Sequence, residues 1–207
     1  MALTTDGHLA RAEAPGAPVV HTWRWVFSAL AAVALGWSSA VSGARVPFLS
    51  GVDFGIHEFG HLATAWAPWL VTAFAGSFFQ VAVPLGLAAY FGFARGEVWA
   101  AAPLLAWAGT SARNVAVYIA DAPYQRLELW GGDGVLHDCA QLLAGKPIQH
   151  ADEIAWFTNA FGWALVAVGI ALVAWAATQE RRDAAQFAAL EARKNTLPVR
   201  EPRGPLG

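Results

Sequence analysis

The apolar residues of this chain fall into long runs that are separated by polar segments. Four runs have about the length, roughly 20 residues, that an α-helix needs to cross the hydrocarbon core of a bilayer: residues 23–42, 69–93, 97–120 and 154–177. A shorter and less apolar segment, residues 52–67, lies between the first two runs. The pattern predicts an all-α fold, a polytopic transmembrane helix bundle with about four full spans and one short membrane helix.

The segments outside these runs differ in character. Residues 1–22 are rich in Ala, Pro and Gly and show no apolar period, so we expect a disordered N-terminal tail. Residues 178–207 form a charged C-terminal tail, and its first part predicts a surface helix. Within the predicted membrane domain, residues 23–177, the segment 121–153 is an acidic loop. Loops of this length are usually functional or disordered.

The composition supports a lipid-facing surface. The chain is 57% hydrophobic and 14% charged, whereas a soluble domain averages about 45–50% apolar and about 25% charged residues. The 11 tryptophans fit the membrane–water interface, where this residue is enriched. A net charge of −2 gives no indication of nucleic-acid binding. The single cysteine, Cys139, excludes an internal disulfide and a Cys-rich zinc module, so the ligands of any metal must be His and carboxylate.

The segment 52–67 contains the sequence His57-Glu58-Phe59-Gly60-His61. Residues four apart share one face of a helix, so both imidazoles can bind one Zn²⁺. Glu58 would then lie beside the metal and take a proton from a zinc-bound water, whose pKa falls to about 7. A motif with only three fixed positions can also occur by chance, but ionisable groups in membrane segments are energetically costly and usually functional. The motif therefore predicts a zinc site with Glu58 as the catalytic base.

A catalytic zinc needs a third protein ligand and an open position for water. The acidic loop offers His137 and Asp138, immediately before a segment, residues 139–143, that is typical of a helix start. From the residues alone both candidates stay open. One would bind the metal, while the other could orient a ligand through a hydrogen bond.

Over about residues 50–145 the sequence resembles the site-2 protease family of intramembrane zinc metalloproteases. The residues His57, Glu58 and His61 match the HExxH motif of that family, including the glycine before the second histidine. The resemblance implies an HExxH helix inside the membrane and a distant Leu-Asp-Gly motif that supplies an Asp as the third ligand.

The stretch 136–143, Leu-His-Asp-Cys-Ala-Gln-Leu-Leu, resembles this second motif in part. Asp138 stands where the family has its Asp, but His137 replaces the Leu and Cys139 replaces the Gly. The resemblance implies that Asp138 is the third ligand, and His137 remains the alternative. Cys139 is expected to be a small buried residue and not a nucleophile.

Other polar residues fall in the predicted spans, namely Gln80, Arg113 and Asn114. Arg113 or Asn114 could stabilise the oxyanion that forms when water attacks a carbonyl. Alternatively, Arg113 extends to the interface or pairs with Asp121 or another acid of the acidic loop. Gln80 is expected to make an interhelical hydrogen bond or to contact substrate.

These features predict a zinc metallopeptidase that hydrolyses peptide bonds of membrane-embedded or membrane-adjacent protein substrates. One alternative is a membrane zinc hydrolase of a lipid or another amide. The other is a non-catalytic metal-binding or haem-binding protein, including a pseudo-protease, although a haem ligand has no need of Glu58. We expect a multi-pass protein of a bacterial inner membrane, whose basic tail places the C-terminus in the cytoplasm.

Overall fold

A computed structural model describes residues 22–129 and 136–196 of the protein. These residues form α-helices and one π-helical turn, and no strand occurs among them. The helices are α1 (Thr22–Val41), α2 (Leu49–Ala63), α3 (Trp69–Ala89), α4 (Val98–Asp121), α5 (Asp138–Leu142) and α6 (Ile148–Thr196), and the π-helical turn Tyr90–Ala94 follows α3. The prediction of an all-α fold is confirmed for this part of the chain. The N-terminal tail up to residue 21 lies outside the described residues.

Three helical segments in the described ranges are long and apolar enough to cross a membrane: Thr22–Val41, Trp69–Ala94 and Ile148–Thr196. This agrees with a membrane protein. The fourth predicted span, α4, does not belong to this set, because Arg113 and Asn114 lower the hydropathy of its apolar part. The structure therefore supports three candidate spans, and four full spans are not established.

The helix boundaries differ from the predicted ones mainly in the second half of the chain. The predicted surface helix is helical and mostly exposed, and it is continuous with the predicted last span in one helix, α6. Pro147 precedes this helix and the next proline is Pro198, so no helix-breaking proline lies between them. The short α5 and the start of α6 occupy about a third of the predicted acidic loop.

The chain divides into two units. Thr22–Ala177 form one of them and contain the predicted membrane domain. The second includes residues 178–196, which are helical and mostly exposed, with an exposed ion pair between Lys194 and Glu191 at 3.9 Å. The candidate site described below lies wholly within the first unit.

Small side chains form the interior of the unit Thr22–Ala177. Its buried apolar residues are mainly alanines, whereas Leu30, Trp37 and Trp175 are 66%, 70% and 57% exposed. Exposure of such large apolar surfaces would be unfavourable in water but is favourable in lipid. Without a hydrophobic driving force inside a bilayer, helices associate through small residues that allow close backbone contact. Small residues inside and large apolar residues outside are the arrangement expected of a helix bundle in a membrane.

Helix α4 is the central element, since it packs against α1, α3 and α6. Glycines allow the closest of these approaches. A β-carbon on Gly109 would lie 2.5 Å from the carbonyl oxygen of Gly162 in α6, and one on Gly169 would lie 2.7 Å from the carbonyl oxygen of Ala102. Pro84 and Pro103 lie inside α3 and α4 without ending either helix, as predicted for Pro84.

Candidate metal centre

The motif helix α2 lies directly on α3. A β-carbon on Gly60 would come within 2.6 Å of the carbonyl oxygen of Ala75, so only glycine permits this distance between the two backbones. His57 and His61 lie one turn apart on the same face of α2, and their ring centroids are 4.7 Å apart. The close packing at Gly60 therefore brings both imidazoles against α3.

Helix α3 leaves space for the two imidazoles at Gly76. A β-carbon there would lie 2.6 Å from Nε2 of His57 and 2.6 Å from Nε2 of His61. The two nitrogens thus converge on a position where α3 carries no side chain. Any other residue at Gly76 would occupy the space between them.

Asp138 completes a group of three donors. Its Oδ2 lies 3.2 Å from Nε2 of His57 and 3.2 Å from Nε2 of His61. All three atoms lie within 4.8 Å of one another, and no other such group of His, Cys, Asp or Glu occurs in residues 22–129 and 136–196. The side chains are 12%, 21% and 18% exposed, so they are largely shielded but still reachable from outside.

Hydrogen bonds at Nδ1, from each ring to a neighbouring group, fix the orientation of both imidazoles. Nδ1 of His61 lies 2.8 Å from the carbonyl oxygen of Thr72, which can only accept, so Nδ1 carries the proton. Nδ1 of His57 lies 3.3 Å from Oε1 of Gln80, whose Nε2 donates to Oδ1 of Asn114 at 3.1 Å. In the neutral rings Nε2 is therefore left with a free lone pair that faces Asp138.

The donor set fits a cation in the centre. Three lone-pair atoms that converge at this distance repel one another unless a proton or a metal lies between them. Two ligand atoms each about 2.0–2.1 Å from a tetrahedral zinc are about 3.3 Å apart, close to the observed 3.2 Å. Burial alone would raise the pKa of Asp138, but when the imidazoles carry protons and no metal, a hydrogen bond from His57 and the charges of both rings outweigh burial and lower that pKa. The ionised carboxylate is the form that binds a metal.

A cavity of about 180 Å³ opens beside the donor group. Its lining includes His57 and Asp138, together with Glu58, Gln80, Asn114, Tyr118, Arg45 and Glu128. Glu58 is exposed, although it neighbours a donor residue in the sequence. The cavity therefore has room for several water molecules or a short piece of substrate next to the carboxylate of Glu58.

His137, the alternative third ligand, lies outside the donor group. Its Nδ1 accepts a hydrogen bond from the backbone N–H of Ala140 at 3.2 Å and so caps α5. Its Nε2 is 3.5 Å from Oδ2 of Asp121, and its ring is stacked on Tyr118 at 4.0 Å. Burial lowers the pKa of His137, and the nearby Asp121 opposes this effect. His137 thus connects the start of α5 to the end of α4. Of the two candidates, only Asp138 faces the imidazoles.

The other predicted site residues separate into two groups. Gln80 and Asn114 line the cavity, but Arg113 is not among the lining residues of the described chain. Consecutive helical residues point about 100° apart, and Arg113 donates to Asn159 at 3.1 Å and to Ser39 at 2.6 Å. Its guanidinium also lies 3.9 Å from the ring centroid of Trp163. The structure therefore places Arg113 at the contact between helices, neither in the site nor paired with Asp121.

The sequence interpretation did not identify two residues that support the site. Tyr118 contacts Asp138 through its hydroxyl group. Asp53 is 5% exposed, and its Oδ1 accepts hydrogen bonds from Trp107 at 2.8 Å and Ser111 at 2.9 Å. An acid one turn before His57 in an apolar segment was the available signal for Asp53. No comparable signal marked Tyr118.

Comparisons with protein-family models, with characterised proteins and with solved structures each return no match for this chain. The functional interpretation therefore depends on the geometry of the donor group and its cavity.

Proposed function

We propose that this protein is a zinc-dependent intramembrane metallopeptidase, similar in chemistry to the site-2 proteases. The observation that carries the proposal is the combination of two imidazoles, one carboxylate and a separate glutamate, Glu58, around one cavity. A purely structural metal site is closed by a fourth protein ligand. Here the described chain provides three donors and leaves one side open to a cavity that contains a base.

The residues have separable roles in such a reaction. A bound zinc would act as a Lewis acid and lower the pKa of a coordinated water to about 7. Glu58 would accept the proton of the attacking water and then deliver it to the nitrogen of the leaving amine. Asn114 has its Oδ1 engaged by Gln80, so its amide N–H groups are available to donate to the oxygen of the peptide carbonyl.

The surroundings favour a substrate in or beside the bilayer. The site lies in a unit that contains two candidate spans and the first part of the third, and large apolar side chains are exposed on it. A helical peptide bond is shielded by its own hydrogen bonds, so a substrate helix would have to unwind before it reached the cavity. At about 180 Å³ the cavity would hold only a short extended segment.

The proposed location is a bacterial inner membrane with the C-terminus in the cytoplasm. The residues after Ala177 include six Lys and Arg against four Asp and Glu, and positive charge is retained on the cytoplasmic side. Cysteine labelling tests this orientation: a cysteine introduced near the C-terminus should react with a membrane-impermeant maleimide only after the cells are opened.

Metal content of the detergent-purified protein tests the site. We expect about one zinc per chain in the wild type, and its loss in His57→Ala and Asp138→Ala, because each variant lacks a donor. Glu58→Gln should retain the zinc, since this residue is outside the donor group. A wild-type protein free of zinc after purification without chelators would overturn the proposal.

Peptide hydrolysis tests the activity. Zinc-loaded protein is reconstituted in vesicles with single-span peptides of varied sequence, and products are identified by mass spectrometry. We expect cleavage by the wild type and its loss, by at least about 100-fold, in Glu58→Gln. Glu153→Gln, an exposed glutamate on α6, is the matched control and should remain active. Equal cleavage by Glu58→Gln and the wild type would exclude Glu58 as the base.

A further inference from the structure

Tyr118, near the end of α4, contacts Asp138 at two points. Its hydroxyl accepts a hydrogen bond from the backbone N–H of Asp138 at 3.0 Å, and the same hydroxyl lies 3.4 Å from Oδ2 of that residue. Oδ2 is also the atom that lies 3.2 Å from both imidazole nitrogens. One phenol group thus reaches both the backbone and the donor atom of the third candidate ligand.

We propose that Tyr118 is a positioning residue, which holds Asp138 in the orientation in which its Oδ2 meets His57 and His61. This inference rests on the metal site of the proposed function. Asp138 needs such support because it is the first residue of a helix of only five residues, where backbone N–H groups have no partner within the helix. A hydroxyl can accept and donate at once, so it links the position of the backbone to the rotamer of the carboxylate.

The ring of Tyr118 is itself held from two sides. One face is stacked on His137, with ring centroids 4.0 Å apart and planes 6° apart. On another side the ring meets His57 edge to face, with centroids 6.1 Å apart. His137 is anchored in turn by the Ala140 N–H and by Asp121. The contacts with His57 and His137 therefore hold the ring, and with it the hydroxyl, in one position.

Tyr118→Phe separates the role of the hydroxyl from that of the ring, because the ring and its stacking on His137 remain. Zinc affinity is measured by competition with a chromogenic chelator in detergent. Loss of a partner that orients a metal ligand typically weakens metal binding by about 10–100-fold, and we expect this for Tyr118→Phe. Tyr124→Phe is the matched control, because Tyr124 is half exposed and its ring lies near Arg126, away from the site. It should bind zinc like the wild type.

The coordination of the metal distinguishes positioning of Asp138 from a general effect on the fold. If Tyr118 acts on the orientation of Asp138, Tyr118→Phe should change how the metal is coordinated and not only how tightly it is held. The visible absorption of the Co²⁺-loaded protein gives a second readout, since Tyr118→Phe should shift the band that reports the carboxylate ligand and Tyr124→Phe should not.

Equal zinc affinities and equal Co²⁺ spectra for Tyr118→Phe and the wild type would overturn the inference and leave the proposed function intact. The same holds if zinc affinity falls with no change in the Co²⁺ spectrum, or if Tyr118→Phe does not fold while Tyr124→Phe does. A wild-type protein that binds neither zinc nor Co²⁺ would overturn both the inference and the proposed function.

Discussion

Gly76 faces His57 so closely that a β-carbon on the glycine would lie 2.6 Å from Nε2 of the imidazole. The same atom would lie 2.6 Å from Nε2 of His61, within the space that a shared metal needs. Gly76→Ala should therefore abolish metal binding, because its methyl group displaces both nitrogens from their common centre. Zinc content of the purified variant measures the effect.

Gly86→Ala is the control for this prediction, because Gly86 lies in the same helix and a β-carbon there would meet nothing within 4 Å. It should retain the zinc, and both variants should have the helix content of the wild type by circular dichroism. Retention of a full equivalent of zinc by Gly76→Ala would mean that the two imidazoles do not share a metal on this face of α3.

Gln80 should influence the metal without binding it. Its Oε1 lies 3.3 Å from Nδ1 of His57 and keeps the other nitrogen free to bind. Gln80→Leu removes this acceptor, so we expect zinc affinity to fall by about 10–100-fold. Gln80→Glu preserves an acceptor at the same position and should retain most of the affinity. If both variants bind zinc like the wild type, the orientation of His57 does not depend on residue 80.

Asp53 should contribute to stability, because it joins α2 to α4 through its bonds with Trp107 and Ser111. Asp53→Ala would leave the buried Ser111 hydroxyl and the half-buried Trp107 N–H without this acceptor, and the buried donor alone should cost about 1–3 kcal/mol. Asp53→Asn retains an oxygen acceptor and should cost less. Thermal unfolding in detergent measures the difference, with the exposed Asp152→Ala as the control. A midpoint for Asp53→Ala equal to that of Asp152→Ala would contradict this role.

Cys139 should be chemically inert in the folded protein. Burial raises the pKa of its thiol to about 12, and the charge of Asp138 adds to this effect. Because the thiolate is the reactive form, very little of it exists at pH 8. We expect no adduct with iodoacetamide in the folded state and one adduct after denaturation, as measured by mass spectrometry. Rapid alkylation of the folded protein would show that the thiol is exposed and more acidic than its burial predicts.

Much of the helical architecture follows from the order of apolar and polar residues. The predicted runs 23–42, 69–93 and 97–120 correspond within a few residues to α1, to α3 with its π-helical turn, and to α4. Such agreement arises because a membrane helix satisfies its own backbone hydrogen bonds, so its extent depends mainly on local sequence. The boundaries of the last helix were predicted less well, because the sequence changes from apolar to charged along α6 without a residue that breaks the helix.

The sequence by itself determined the HExxH pair and its placement on one helix, because the spacing of His57 and His61 and the period of a helix are both local properties. It left the third donor open between His137 and Asp138, since adjacent residues in a loop point in directions that local sequence does not set. Only the tertiary structure decided that Asp138 faces the imidazoles and that His137 faces Asp121. Contacts between residues as distant in sequence as Tyr118, Asp138 and His57 depend on the packing of α2, α4 and α5, and no local pattern encodes that packing.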